Sequence, residues 1–329
     1  MSSAVLSNVV AHLRREGCLG TLAIYGHALR WKAHRDVLHS EFLVRRIFGY
    51  RMLLSLTQEG ISEVLNLYGR REAEHVYILE RVLREGMCVL DIGGNIGYYT
   101  LMMAMRVGAQ GKVYAVEPVP ANCSLLRRNV DLNHCGGWVE VFEMGISDRT
   151  AQRPMALSRQ SNLHSFHPDT QAAGAAMLDL SGETVQVRTE DLGTFLDGKR
   201  RPELLRMDVE GHEVEILTSL SKEASARGWY PDVLFECHAH MYDPQTHDIV
   251  RPMRELFAMG YRVSYMASNR EPATGFKDRG YLPVCLVDDH GRQRGIYENV
   301  AEGDALAIMQ ERGQARCLLL RRAAGANPA

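Results

Sequence analysis

The chain has 329 residues, 46% of them apolar, and a formal net charge of −2. That is enough apolar material for one large domain, or for one domain with a smaller addition. The balanced charge and the lack of a Lys/Arg run do not indicate binding driven mainly by phosphate charge and leave room only for a local basic patch, and no apolar run reaches the roughly 18–20 residues of a membrane span.

In chain order, residues 1 to about 50 read as helical, with Val9, Val10 and Leu13 at helical spacing and Gly17 and Gly20 as breaks. "RMLLSLTQ" (51–58) reads as a strand and 61–86 as a helix. After Gly86 the pattern changes. Short apolar strands are predicted at 88–92, 113–117, 139–144, 203–208, 232–238 and 261–266. Helices are predicted between several of them, at 97–107, 119–133, 212–221 and 248–259. Such alternation predicts an α/β fold with a mostly parallel sheet, helices on both faces and right-handed crossovers. The interval 149–202 holds two strand-like pieces, "RPMALSR" and "TVQVRT", and a polar run, "QSNLHSFHPD"; it reads as an insertion over the sheet, a lid. "YLPVCLVDDHGRQRGIYENV" reads as a hairpin turning at Asp289, His290 and Gly291. The end, "RRAAGANPA", reads as frayed.

The cysteines (Cys18, Cys88, Cys123, Cys135, Cys237, Cys285 and Cys317) are scattered and form no Cys-x-x-Cys pair. They read as reduced, buried thiols of a cytoplasmic protein. Arg14, Arg15 and Glu16 break up any signal-peptide core.

"VLDIGGNIGYYTL" (89–101) carries the first chemistry. In an open parallel sheet, ligands gather at the carboxyl ends of the strands. Asp91 to Gly97 lie at such an end. Gly93, Gly94, Asn95 and Gly97 leave bare main chain at a helix N-terminus. The dinucleotide fingerprint G-x-G-x-x-G fails, because Asn95 and Tyr98 hold the second and third glycine positions. The D-x-G-x-x-x-G pattern suits a ligand without pyrophosphate, such as S-adenosylmethionine, with Asp91 helping to hold its ammonium end directly or through water. Glu117 closes the next strand in "VYAVEP", about 20 residues on, where an acid accepts from ribose hydroxyls. Ser147 and Asp148 in "GISD" are placed to meet an adenine edge or simply to form a turn.

"RMDVEGHEVEIL" adds Asp208 at a strand end and Glu210 in the turn after it. Glu213 and Glu215, in a first helical turn, read more readily as partners of the helix dipole. In "LFECHAHMYDP", a strand reaching residue 240 would put Glu236, His238 and His240 on one face. With Asp208 they form a base cluster or hold a divalent metal; the competing reading is that the histidines cap the strand. His238 or Asp208 is the expected proton acceptor. His164 and His167 in the insertion are either pocket groups or solvated, and Tyr98 and Tyr99 pack against the cofactor or line its site.

Together "VLDIGGNIGYYTL", "VYAVEPVPANCSLLRRNVDLN", "GISD" and "LLRMDVEGHEVEIL" resemble the FkbM family of S-adenosylmethionine-dependent methyltransferases, from about Tyr68 to about His240. Gly94 stands where that family commonly has Ala, and Arg206 where it commonly has Lys. The resemblance implies a class I, Rossmann-like fold with a seven-stranded sheet and, usually, O-methylation of small molecules, sugars or lipids. The implied division is a mainly helical extension (1–60), a methyltransferase domain (61–300) with its insertion, and a C-terminal helix and tail (301–329). On this reading Asp91, Gly93, Gly94, Asn95, Gly97, Tyr98, Glu117, Pro118, Ser147 and Asp148 hold the cofactor. Asp208, Glu210, Glu236 and His238 border a small-molecule or saccharide-like acceptor. The N-terminal helices are a dimer arm, a lid or a partner surface. A catalytically silent cofactor-binding module and a nucleic-acid methyltransferase are the alternatives. The latter is disfavoured because no basic face, Asn/Asp-Pro-Pro-aromatic run or Pro-Cys nucleophile stands in the expected places.

Overall fold

The computed structural model describes residues 3–58, 60–167 and 179–323. Residues 168–178 of the insertion and the expected frayed end at 324–329 lie outside the described residues. Helix α1 (Ser3–Lys32) is kinked at Gly17, while Gly20 stays helical, and a π-helical turn follows at Ala33–Val37. Strands β1 (Phe42–Ile47) and β2 (Tyr50–Ser55) then form a separate antiparallel hairpin. The helix expected at 61–86 is two, α2 (Ile61–Tyr68) and α3 (Ala73–Val82). Gly69 ends the first in a left-handed conformation, and Glu72 takes φ 53° before the second. That break brings Arg71 and Glu72 to the wall of a cleft.

The α/β alternation follows: β3 (Cys88–Ile92), α4 (Tyr98–Val107), β4 (Lys112–Val116), α5 (Pro120–Leu132) and β5 (Val139–Phe142). The insertion contributes β6 (Gly145–Ser147), β7 (Ala151–Ser158) and β8 (Leu180–Asp191), a small sheet of order β6-β8-β7. Its two expected strand pieces pair with each other, Met155 opposite Val185. After α6 (Leu192–Phe195) come β9 (Leu204–Met207), α7 (Glu213–Arg227), β10 (Asp232–Glu236), α8 (Val250–Ala258), β11 (Tyr261–Ser268) and α9 (Thr274–Lys277). The chain closes with β12 (Cys285–Asp289), β13 (Arg292–Glu298), α10 (Glu302–Gln310) and β14 (Ala315–Arg322).

The main sheet has the order β12-β13-β11-β14-β10-β9-β3-β4-β5. Strands β5, β4, β3, β9 and β10 are parallel, and β14 runs against both neighbours, β10 and β11. Seven strands thus make the expected class I core, and the β12–β13 hairpin extends it to nine. Strand β14 lies where a C-terminal tail was expected. "ARCLLLRR" is apolar enough to be buried on both faces, and Leu318, Leu319 and Leu320 are fully buried. Side chains alternate between two cores: Val89, Leu204 and Leu234 enter one, Leu90, Leu205 and Phe235 the other. Each fully buried leucine contributes about 1.5–3 kcal/mol. Cys18 is exposed and Cys285 half-buried; the other five cysteines are buried, and all are free thiols. Among the described residues no helix is long and apolar enough to cross a membrane. Chain order reverses at β3, with β4 on one side and β9 on the other, which opens a crevice at the carboxyl ends of these strands.

Candidate active site

That crevice is a cleft open to solvent, enclosing about 820 Å³ of space with its mouth included. Its first wall is the glycine turn. Gly93 and Gly94 donate to the Val116 carbonyl, at 2.9 and 3.0 Å, so β4 holds the turn down. A Cβ on Gly93 (φ +80°) would lie 2.1 Å from the Asp208 carbonyl oxygen. One on Gly97 (φ +97°) would lie 2.6 Å from Leu126 Cδ1 of α5. Glycine at Gly93 lets the β3 and β9 exits converge; at Gly97 it seats α4 on α5. Asn95, at φ 48°, donates its backbone N–H to Glu117 Oε2 (2.8 Å) and its Nδ2 to the Ser161 carbonyl (2.7 Å). Asn122 Nδ2 donates to that same carbonyl, at 2.8 Å. The insertion is thereby fastened over the turn, and Ser161, Asn162, His164 and Phe166 line the cleft beneath it.

The expected cofactor residues divide in two. Gly93, Gly94, Asn95, Tyr98, Glu117 and Pro118 line the cleft, as does Tyr99. Glu117 accepts from the N–H groups of Val119 and Asn95, yet burial outweighs them and pushes its carboxyl up to about 7. Asp91, Gly97, Ser147 and Asp148 stand behind the lining. Asp91 is fully buried, accepting from Thr100 Oγ1 (2.6 Å) and pairing with Arg206 Nη1 (3.3 Å). Any hold it has on a ligand passes through the turn. Ser147 Oγ contacts His212 Nε2 at 3.0 Å, and Asp148 pairs with Arg153 at 2.5 Å. Gly145 and Ile146, just ahead of them, line the cleft in their place.

The second wall is acidic. Asp208 and Glu210 both line the cleft. Asp208 Oδ2 is 3.0 Å from Arg206 Nη2; burial would raise its carboxyl, but Arg206 carries it below the usual range. Behind them lies His238, buried and outside the lining. Its Nδ1 is 2.7 Å from Glu213 Oε1; its Nε2 is 3.3 Å from Glu210, 3.3 Å from Glu236 and 3.8 Å from Asp208. Burial opposes a charged imidazole, but Glu210, Glu213 and Glu236 together push His238 well above its ordinary value. The three carboxylates thus favour the charged imidazole, which weakens His238 as a proton acceptor. Burial pushes Glu210 up to about 8, against the pull of His238. β10 ends at Glu236, so the expected single face of Glu236, His238 and His240 does not form. Glu236 and His238 meet through the turn instead, while the His240 ring stays 5.9 Å from that of His238.

Asp208, Glu236 and His238 offer donor atoms within 4.8 Å of one another, the spacing of a metal site. Their charge is already matched: Arg206 covers Asp208, and Arg316 pairs with Glu236 and, at 3.0 Å, with Glu72. A divalent ion would have to displace these guanidinium groups, so the set reads as a buried ion-pair network. Glu72 also pairs with Arg71 and accepts from Tyr99 Oη at 2.7 Å. The sequence reading missed Arg71, Glu72 and Arg316 and took Glu213 for a dipole partner. Only Arg316 left a trace, as a charge ahead of the apolar run Cys317–Leu320.

The Methyltransferase FkbM domain model matches residues 91–263, just over half of the chain. Methyltransferase 1 of Beauveria bassiana is 31% identical over 148 residues, 41% of this chain and 59% of that protein. Hexuronic acid methyltransferase AglP of Haloferax volcanii is 23% identical over 216 residues, 65% of this chain and 80% of that protein. The crystal structure of methyltransferase FkbM from Methylobacillus flagellatus KT is 16% identical and covers 71% of this chain and 52% of that chain, with a TM-score of 0.36. The fold assignment rests on the strand order rather than on that superposition. With the glycine turn, the acid closing β4 and the matched span all in register, the chain belongs to the FkbM methyltransferase family.

Proposed function

We propose that the protein is an S-adenosylmethionine-dependent methyltransferase acting on a hydroxyl of a small-molecule or saccharide-like acceptor. One observation carries the reading: the glycine turn, Glu117, Asp208 and Glu210 line a single cleft. The residues present fit the cofactor. The bare main chain at Gly93 and Gly94, with Asn95, suits an amino-acid end, and the Glu117 carboxylate suits ribose hydroxyls. The cofactor, when bound, supplies an electrophilic methyl group, so the chain's own task is to align, desolvate and deprotonate the acceptor.

In this reading Glu210 is the base. Its value near 8 is close to working pH, where a general base is most effective. It receives the acceptor's hydroxyl proton while the His238 imidazolium, 3.3 Å behind it, steadies the ionised form. Glu213 holds that imidazole in place from its other nitrogen. The saccharide-like class is supported by the Haloferax relative, named for a hexuronic acid, and by a cleft wall rich in carboxylates and tyrosines rather than in free basic groups.

Calorimetry with S-adenosylmethionine and S-adenosylhomocysteine tests the first half. Methyl transfer to a panel of sugars, uronic acids and hydroxylated natural products, with RNA as a control, tests the second. Micromolar cofactor binding with turnover on a hydroxyl acceptor supports the reading. Absent cofactor binding by a folded chain sinks it, and binding with turnover only on RNA replaces the acceptor class.

A further inference from the structure

At the edge of the cleft, four side chains converge where the insertion meets the start of α7. His167 Nε2 is 3.3 Å from Glu215 Oε1 and 3.1 Å from His212 Nδ1. His212 Nδ1 is 3.4 Å from Glu215 Oε2, and His247 Nδ1 is 3.8 Å from Glu215 Oε1. The donor atoms of His167, Glu215 and His247 all lie within 4.8 Å of one another. For zinc with bonds of about 2.0–2.1 Å, the edges of a tetrahedron are about 3.3–3.5 Å, and these separations bracket that length.

The second contacts of two rings fix which nitrogen faces inward. His247 Nε2 is 2.6 Å from the Gly211 carbonyl. A carbonyl only accepts, so Nε2 carries the hydrogen and Nδ1 presents a lone pair. Ser147 Oγ donates to Asp148 at 3.1 Å, so it accepts from His212 Nε2, and His212 Nδ1 also presents a lone pair. Opposite it, Glu215 Oε2 is buried and receives no hydrogen bond from the described residues. His167 Nε2 reaches both His212 Nδ1 (3.1 Å) and Glu215 Oε1 (3.3 Å), while Glu215 Oε2 stays without a hydrogen bond 3.4 Å from His212 Nδ1, where a cation would serve it. Second-contact partners of this kind orient the histidines of metal sites.

We propose that His167, His247 and Glu215 bind one divalent transition metal of the zinc class, with His212 Nδ1 beside them. Two imidazoles and one carboxylate, half-buried to buried, form a nitrogen and oxygen set suited to such an ion, and among the described residues no arginine pairs with the carboxylate. The site is distinct from the Asp208–Glu236–His238 network. The ion would fasten the insertion, through His167, to α7 and to the loop carrying His247. Phe166, beside His167, packs at 4.6 Å on the His212 ring, and both line the cleft, so the metal would set one wall of the acceptor pocket.

The test is independent of methyl transfer. The full chain is stripped with a chelator and titrated with Co²⁺, followed by visible absorption, and its melting temperature is measured with and without Zn²⁺. One equivalent of cobalt with intense tetrahedral-type bands, displaced by Zn²⁺, and a rise in melting temperature with Zn²⁺ are expected. His247→Gln and Glu215→Gln should lose both signals while melting near the metal-free parent, and His240→Ala should keep both. No stoichiometric cobalt, or full signals retained in His247→Gln and Glu215→Gln, overturns the proposal.

Discussion

His238 and Glu213 form a buried ion pair, Nδ1 to Oε1 at 2.7 Å, in which neither side chain is more than 4% exposed. Tyr242 Oη donates to the other carboxylate oxygen at 3.1 Å. This pair favours the charged form of His238, whose Nε2 lies 3.3 Å from Glu210.

Glu213→Gln leaves the imidazolium without its nearest carboxylate, and breaking a buried pair costs about 3–5 kcal/mol. The folded value of Glu213 is lowered, so its contribution is present above about 4.5 and lost as pH falls through the folded value. That of His238 is raised, so its contribution is full below about 6.5 and fades as pH rises through the folded value. The penalty should therefore be largest near pH 5–6.5 and shrink at alkaline pH, as read by urea unfolding. A penalty of equal size from pH 6 to pH 10 would refute the assignment of charge.

Glu210→Gln should lower kcat by roughly 10²–10⁴-fold, the range for a general base. Its stability effect has the opposite character. With a folded value near 8 against 4.5, Glu210 stabilises fully below 4.5, and that contribution is lost as pH rises through about 8. The neutral amide removes this slope, so the variant should melt at or above the parent temperature at pH 8. Unchanged turnover would remove Glu210 from the chemistry.

Cofactor affinity should depend on pH through Glu117. Its carboxyl is held near 7, and ribose hydroxyls are best accepted by the ionised form. Calorimetry with S-adenosylhomocysteine should show tighter binding at pH 8 than at pH 6, with proton release on binding at pH 6. Glu117→Gln should abolish that dependence. It should also weaken binding by about 10- to 100-fold, the loss of about 1.5–3 kcal/mol expected for hydrogen bonds to a charged group. A parent affinity that is flat across this range contradicts the assignment.

Two adjacent glycines should respond differently to alanine. Gly93→Ala places a methyl 2.1 Å from a backbone oxygen at a left-handed φ, which adds about 1–3 kcal/mol of backbone strain to a clash. Cofactor binding should be lost. Gly94→Ala meets only side-chain atoms, Leu126 Cδ2 and Thr100 Oγ1, each at 3.2 Å, so a small shift accommodates it and binding should stay near parental. Equal effects at the two positions would mean that the turn is not held as described.

Much of this was legible in one dimension. The glycine turn, Glu117, Asp208 and Glu210 each follow an apolar strand, and strand ends on one edge of a parallel sheet must gather at one crevice. The two strand pieces of the insertion and the turn at Asp289, His290 and Gly291 were equally readable, since alternation and turn residues are local signals.

Elsewhere the local signal misled. Glu213, in a first helical turn, has the same appearance whether it faces water or an imidazole 25 positions away. Arg71 and Glu72 sit at a helix break that periodicity reads through, and β14 enters the middle of the sheet from the far end of the chain. The sequence by itself determined the α/β order, the bare turn and the acids at the strand ends, because those are properties of neighbours along the chain. Only the tertiary structure decided which acid faces the cleft, which histidine is charged and which carboxylates Arg206 and Arg316 cover. Those depend on burial and on distances between separate segments, and an ionisable group has no fixed charge until its surroundings are assembled.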